Sequence, residues 1–345
     1  MNPIIWSILI TSLSTSTIIT MASHHWMLAW LGLELNTLSI LPVIMKTPHP
    51  RATEATMKYF LIQALAAAMI LFASTMNAWQ TGLWEITHTT HITTTIITMA
   101  ILLKLGVAPV HLWYPEVLQG TTLNMALLIS TWQKLAPLSL LYMMHNNLPN
   151  NLLLLTGLLS ALLGGLAGLN QTQTRKIMAH SSIAHMGWIL IALNMTPKLT
   201  TLALSTYMIM TTAMFSSLST STMKTITDMG TTWSSSPTMT ALTLLTLTSL
   251  GGLPPLTGFM PKLLILNELT TKPLLPMATT LALTSLPSLF FYIRMAHTTT
   301  LTAPPNTTNI EYKWRFNATP LPTHTATTAL ALLLMPLSPV LYMTT

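Results

Sequence analysis

The sequence predicts an all-α polytopic membrane protein of about eleven transmembrane helices. It further predicts two inverted five-helix repeats, each with a broken fourth helix, followed by one C-terminal helix. Three observations lead there. Of the 345 residues, 51% are hydrophobic and only 6% charged; a soluble domain carries about 25% charged residues, so this chain cannot cover itself with a water-compatible surface. Apolar runs of about 20 residues, the length that crosses a bilayer, recur along the whole chain. Two of those runs are interrupted in the same way, at matching places in the two halves, a pattern that points to a transporter's working site.

The runs fall at residues 3–21, 25–45, 55–78, 92–118 (broken), 122–143, 148–169, 175–195, 199–221, 238–269 (broken), 274–295 and 324–343. The first has no basic flank or small-residue cleavage site, and the first charged side chain is Glu34, so residues 3–21 are expected to be a membrane helix and not a signal peptide. Many runs are diluted with threonine, as in Ile92–Thr98 and Thr238–Thr248; threonine hydroxyls can bond back to their own helix, which keeps such helices tolerable in lipid. The broken run 238–269 contains LGGLPPLTGFMPKLLILNEL, with Gly251, Gly252, Pro254, Pro255 and Pro261. Proline costs a helix interior roughly 3 kcal/mol, so two half-helices joined by an unwound turn are expected. Run 92–118 holds a looser copy, KLGVAPVHLWYPEVLQ, in which Pro109 and Pro115 have the spacing of Pro255 and Pro261, and Glu116 and Lys262 follow the second proline of each pair.

Division follows from the count: residues 1–145 as the first five-helix repeat, 146–295 as the second, 296–323 as a surface linker, and 324–345 as the C-terminal helix. An odd-numbered unit repeated in tandem inserts the second time upside down. The linker carries Pro304, Pro305 and the amphipathic stretch EYKWRF, Glu311–Phe316, expected to lie along the membrane surface with its aromatics at headgroup level. With this count Lys46, Arg51, Arg175, Lys176, Lys224, Arg294, Lys313 and Arg315 share one face, and only Lys198 and Lys272 lie on the other. The positive-inside rule then puts the N-terminus on the inner side and the C-terminus outside.

Composition also narrows the chemistry. There is no cysteine, which removes disulfides and thiolate ligation of iron–sulfur clusters. No Gly-x-Gly-x-x-Gly follows a strand-like run, and no phosphate-binding loop occurs. The net charge of +7 is spread singly between apolar runs, which reads as a topology signal and not as a nucleic-acid surface. The eleven histidines and 25 methionines show no compact metal spacing, so no metal site is expected.

The candidate functional residues are the ionisable groups at membrane depth, where charge is costly and marks ion pathways by default. Glu34 lies mid-helix in LGLELN, and Lys104, just before the first break, is its natural partner. Lys134 in STWQKLAPL and Lys262 beside the second break complete a line of four such groups, the kind of chain a proton relay needs. The plainer reading of Glu34 and Lys104 is a static ion pair between helices. His111, in the first break, and His185, central in the seventh run, could bridge the lysines through water; equally, each could simply bond a neighbouring helix. Glu116 is expected to cap or neutralise the first unwound turn. Glu85, Asp228 and Glu268 have the look of loop or span-end charges.

The segments WLGLELNTLSILPV, RATEATMKYFLIQALAA, APVHLWYPEVLQG, GLNQTQTRKIMAHSSIAHMGW and SLGGLPPLTGFMPKLLILNEL together resemble the chain-2 family of mitochondrial NADH–ubiquinone oxidoreductase. That family belongs to the antiporter-like membrane subunits of respiratory complex I, which are similar to bacterial cation/proton antiporters. The likeness runs over essentially the whole chain. It implies a core subunit of an enzyme that couples NADH oxidation and ubiquinone reduction to proton translocation across the mitochondrial inner membrane. It also implies that flavin and iron–sulfur clusters sit in partner subunits and that this chain holds no cofactor. The partners it implies are the other complex I membrane subunits, neighbouring antiporter-like subunits among them, together with lipid. Carried over by position, the family's key glutamate falls on Glu34, its partner lysine on Lys104, its central lysine on Lys134, the lysine of its second broken helix on Lys262 and its histidine on His185. The resemblance would have Glu34 and Lys104 act as a switch on the proton affinity of Lys134, which passes its proton past His185 toward Lys262. Two other readings stand beside it: a free-standing antiporter exchanging Na⁺ or K⁺ for protons, and a purely structural membrane subunit.

Overall fold

The computed structural model describes residues 2–46, 49–301 and 322–344. Helices account for nearly all of it, and backbone pairing outside them is limited, among the described residues, to two isolated bridges, His25 with Glu85 and Gln173 with Thr225. The chain divides into two compact units, Met1–Thr156 and Gly157–Thr345.

The first unit contains α1 (Pro3–Ala22), α2 (Trp26–Ile44), α3 (Pro50–Thr81), α4 (His91–Leu105), α5 (Trp113–Gly120), α6 (Leu123–Ser130) and α7 (Leu135–Met143). Helix α8 (Asn150–Gly168) spans the division. The second unit holds α9 (Thr174–Met195), α10 (Pro197–Thr220), α11 (Ile226–Ser235), α12 (Pro237–Gly251), α13 (Phe259–Thr271), α14 (Leu275–Leu301), α15 (Pro322–Leu333) and α16 (Ser338–Thr344). Among the described residues seven helices are long and apolar enough to cross a membrane by themselves: α1, α2, α3, α8, α9, α10 and α14. Segments His324–Leu333 and Met335–Met343 would make an eighth, bent by 63°. The remaining predicted runs are divided into shorter pieces: α4 with α5, α6 with α7, and α12 with α13.

Both predicted breaks occur. A third, within the run 122–143, was not expected: Ser130 ends α6, a 3₁₀ turn covers Trp132–Lys134, and α7 begins at Leu135. Its cause lies in the sequence, because Pro137 has no N–H for the carbonyl of Gln133 four residues earlier. Helix α11 is also additional to the expected spans. The predicted surface stretch Glu311–Phe316 lies outside the described residues.

Threonine and serine behave as their chemistry requires. Thr98 Oγ1 donates to the Thr95 carbonyl at 2.9 Å and Thr243 Oγ1 to that of Thr240 at 2.8 Å, so hydroxyls buried away from water bond within their own helix. Between the helices, small residues substitute for the hydrophobic driving force that lipid removes. In the second unit Gly164 of α8 meets α9 so closely that an added Cβ would lie 2.6 Å from the Ala184 nitrogen and 2.9 Å from the His180 carbonyl oxygen. Helix α9 is the hub of that unit, with 89% of its apolar window buried, against 22% for α1. We expect Gly164→Ala to destabilise the protein by about 1–3 kcal/mol through this backbone clash, read as a lowered melting temperature of the purified assembly.

Helix α11 begins with a capping box. Thr225 Oγ1 accepts the Asp228 N–H at 3.3 Å, and Asp228 Oδ2 accepts the N–H groups of Thr225 at 2.8 Å and Lys224 at 3.1 Å. These bonds, the one from Thr225 foremost, hold the Asp228 carboxyl below its ordinary range. A carboxyl depressed in the folded state stabilises it above its unfolded pKa, about 4, and that contribution is lost as the pH falls further. Asp228→Ala should therefore loosen α11 at neutral pH by about 1 kcal/mol. Amide exchange of α11 should detect this, and the difference from the parent chain should vanish well below pH 4.

Candidate functional site

In the first unit two of the sequence-predicted lysines meet at one cavity. Helix α4 carries Lys104 in its last turn and stops at Gly106, whose φ of +70° is open to glycine without strain. The amine of Lys104 is buried and has no hydrogen-bond partner among the described residues, while its backbone carbonyl accepts Gln63 Nε2 of α3 at 3.2 Å. Lys134 closes the 3₁₀ turn of the third break and is 3% exposed. Its Nζ stands 5.2 Å from the centre of the Tyr114 ring, within the range of a cation–π contact. Asn36, Thr37, Tyr59 and Gln63 line the same cavity as the two lysines, and its volume of about 20 Å³ admits a water molecule.

Glu34 reaches this cavity indirectly. Thr37 Oγ1, which lines it, donates to Glu34 Oε2 at 2.9 Å, and the field of the Glu34 carboxylate extends to Lys104. The expected contact pair does not form: among the described residues the ion pairs join Lys58 to Glu54 and Glu116, and His88 to Glu85. Glu34 and Lys104 belong to different helices, and position along a helix says nothing about the distance across. Glu116, expected to cap or neutralise the first break, instead meets Lys58 at 2.7 Å on the exposed side, pinning α5 to α3. His111 sits in the turn after the break with Nδ1 3.2 Å from the Pro109 carbonyl oxygen, and it does not line the cavity.

The second unit builds a different site around Lys262. Helix α12 ends at Gly251, Gly252 turns the chain with φ of +80°, and Pro254 and Pro255 have no N–H to continue the helix. From the first turn of α13, Lys262 reaches back so that Nζ donates to the Gly251 carbonyl at 2.9 Å, a cation placed at the negative end of a helix. The same amine is 5.8 Å from the centre of the Trp188 ring. His185 shares two cavities with Lys262, one of about 20 Å³ bordered by Thr206 and Tyr207, the other of about 10 Å³ bordered by Ser288 and Tyr292. Its ring lies 5.6 Å from that of Tyr207.

Four polar residues of the first site were not anticipated: Asn36, Tyr59, Gln63 and Gln133. Gln133 Nε2 donates to Asn36 Oδ1 at 3.0 Å, and Tyr59 OH donates to Gln133 Oε1 at 3.4 Å. Their signal was available, since a lone amide inside an apolar run, as in FLIQALAA, is as anomalous there as a charge.

Residues 23–287 match the family described as NADH:quinone oxidoreductase/Mrp antiporter, TM, and residues 289–342 match NADH dehydrogenase subunit 2 C-terminus. The NADH-ubiquinone oxidoreductase chain 2 of Salmo salar is 54% identical over 342 residues, which is 98% of each chain. The chain belongs to the NADH-ubiquinone oxidoreductase chain 2 family. Among solved structures, a chain of respiratory complex I from Thermus thermophilus superposes with a TM-score of 0.84 at 25% identity, covering 97% of this chain and 78% of that one. A chain of the Mrp complex from Dietzia sp. shares the fold, with a TM-score of 0.76 at 16% identity over 83% of this chain and 59% of that one. For this chain 2 family member the second break yields a direct prediction. Lys262→Met removes the donor that holds the end of α12, and a hydrogen bond contributes about 1 kcal/mol. Amide exchange at Gly252 and Leu253 should quicken roughly fivefold, as read by mass spectrometry of the assembled protein.

Proposed function

We propose that this chain carries part of the proton translocation that complex I couples to NADH oxidation and ubiquinone reduction, through an intramembrane relay of Glu34, Lys104, Lys134 and Lys262 with His185. Redox chemistry belongs to partner subunits, since a chain without cysteine has no thiolate for an iron–sulfur cluster. The observation that carries the reading is the shared cavity of Lys104 and Lys134, two buried amines on two helix breaks with room for water between their walls. Water there can pass a proton between amines that do not touch. A change of charge at Glu34 alters the field at Lys104, because Coulomb interactions are strong where the dielectric is low. In the second unit Lys262 and His185 form a second proton-handling set around their own cavities. His111, bonded to its own loop, serves the relay only by shaping the first break.

The proposed arrangement in the mitochondrial inner membrane counts eleven spans, the interrupted ones included, with the N-terminus on the matrix side and the C-terminus in the intermembrane space. An inverted repeat is supported by a detail of the backbone. In the first unit Trp26 N donates to the Trp84 carbonyl and Ile86 N to that of His24. In the second, Thr174 N donates to the Lys224 carbonyl and Ile226 N to that of Thr172. Each pair joins the start of the second span to the connection after the third, and the fourth span, α4 in one case and α12 after the short α11 in the other, breaks behind a left-handed glycine, Gly106 or Gly252.

Lys134→Met tests the relay. In sealed vesicles holding the assembled complex, NADH-driven proton uptake should fall roughly a hundredfold, the low end of what a proton-transfer group contributes. Full proton-to-electron stoichiometry in this variant would end the relay reading.

A further inference from the structure

Lys134 stands on backbone that no continuous helix holds. Within its turn the Lys134 N–H donates to the Thr131 carbonyl, at 3.2 Å, and Leu135 N bonds that of Trp132. Thr131 takes φ −114° and ψ −75°, well off helical geometry, and Pro137 withholds a donor from the Gln133 carbonyl. Side chains must therefore set where this turn sits. One that does so is Gln133, buried at 9% exposure beside Lys134. Its amide gives a hydrogen to Asn36 of α2 and takes one from Tyr59 of α3. Asn36 follows Glu34 by two residues on α2 and is itself 3% exposed.

We propose that Gln133 is a positioning residue: its hydrogen bond to Asn36 ties the turn that carries Lys134 to the helix that carries Glu34, so that displacement of α2 reaches Lys134. This inference rests on the relay reading above. Packing alone does not account for the pair, because burying two amides costs free energy that an apolar pair of the same volume would not incur. The bond joins two neutral groups, so pH leaves it intact; it transmits position, whereas the Glu34 carboxylate transmits charge. Gln63, bonded to the Lys104 carbonyl, holds the other amine's helix end in the same manner, and the two lysines consequently face one cavity from anchored backbones.

The test uses the assembled complex in sealed vesicles and four variants: Asn36→Ala, Gln133→Ala, the two combined, and the exchange Asn36→Gln with Gln133→Asn, which moves one methylene across the bond. NADH-driven proton uptake is measured beside NADH oxidation by a water-soluble electron acceptor, which reports an intact redox arm. Each single alanine variant should slow proton uptake about fivefold, the effect of one hydrogen bond, with acceptor-linked oxidation unchanged. The combined variant should be no slower than the worse single one, as expected of residues acting through one contact, and the exchange should recover at least half of the parent rate. Full-rate pumping in Gln133→Ala, or additive losses with no recovery in the exchange, would overturn the proposal. Should Gln133→Ala fail to assemble, Gln133→Asn alone and in the exchange carries the test, and recovery in the exchange remains the required result. Impaired Lys134→Met with unimpaired Gln133→Ala sinks this inference alone, whereas unimpaired Lys134→Met sinks the relay with it.

Discussion

The structure depends on one constraint: in lipid every backbone polar group must find its partner within the protein. A continuous helix meets it automatically and an interrupted one does not. The interruptions after α4, α6 and α12 free carbonyls at membrane depth, and each of these has a lysine within it or beside it. Lys262 satisfies the end of α12 with its own amine. The carbonyl of Lys104 is satisfied by Gln63, and the turn bearing Lys134 is held by Gln133 through Asn36 and Tyr59. Lysine and break support each other, since the helix end offers an amine a negative dipole and the amine or its neighbour offers the break a donor.

What could be read from the sequence, and what could not, divides along the same line. Composition and run length specify a membrane chain because they are properties of whole segments. Paired Gly and Pro specify the breaks at 106 and 252 because those residues act on the backbone where they stand. The third break was equally written in Pro137, yet the run around it is so apolar that a single proline reads as a tolerated kink. Contacts across helices are another matter. Glu34 and Lys104 looked like partners because both are charged and both sit at mid-depth. Whether two side chains on different helices touch depends on helix rotation and spacing, which the sequence of either helix does not contain. The capping box at Thr225 and Asp228 was hidden for a simpler reason: α11 is too polar and too short to register among spans, although threonine followed three residues later by aspartate is a start signal.

Amides deserve the weight that charges receive in such a chain. Gln63 lies in a segment that is otherwise apolar, Asn36 and Gln133 lie beside Glu34 and Lys134, and all three are bonded within the first unit. A search restricted to ionisable residues finds the candidate proton carriers and passes over the amides bonded beside them. The resemblance to the chain 2 family shares this bias, because it transfers four charged positions and one histidine and is silent on the amides between them.

The two units treat their lysines unequally, and the difference bears on how each can exchange a proton. Lys262 has committed a hydrogen to the Gly251 carbonyl. Giving up its proton leaves a neutral amine that can still donate this bond, so what is lost is the positive charge at the helix end and part of the bond's strength. Lys104 has no hydrogen bond to give up. Its amine borders a cavity that admits water, and its backbone is anchored through a different atom, the carbonyl that Gln63 holds. Proton exchange there requires water to enter and little else to move.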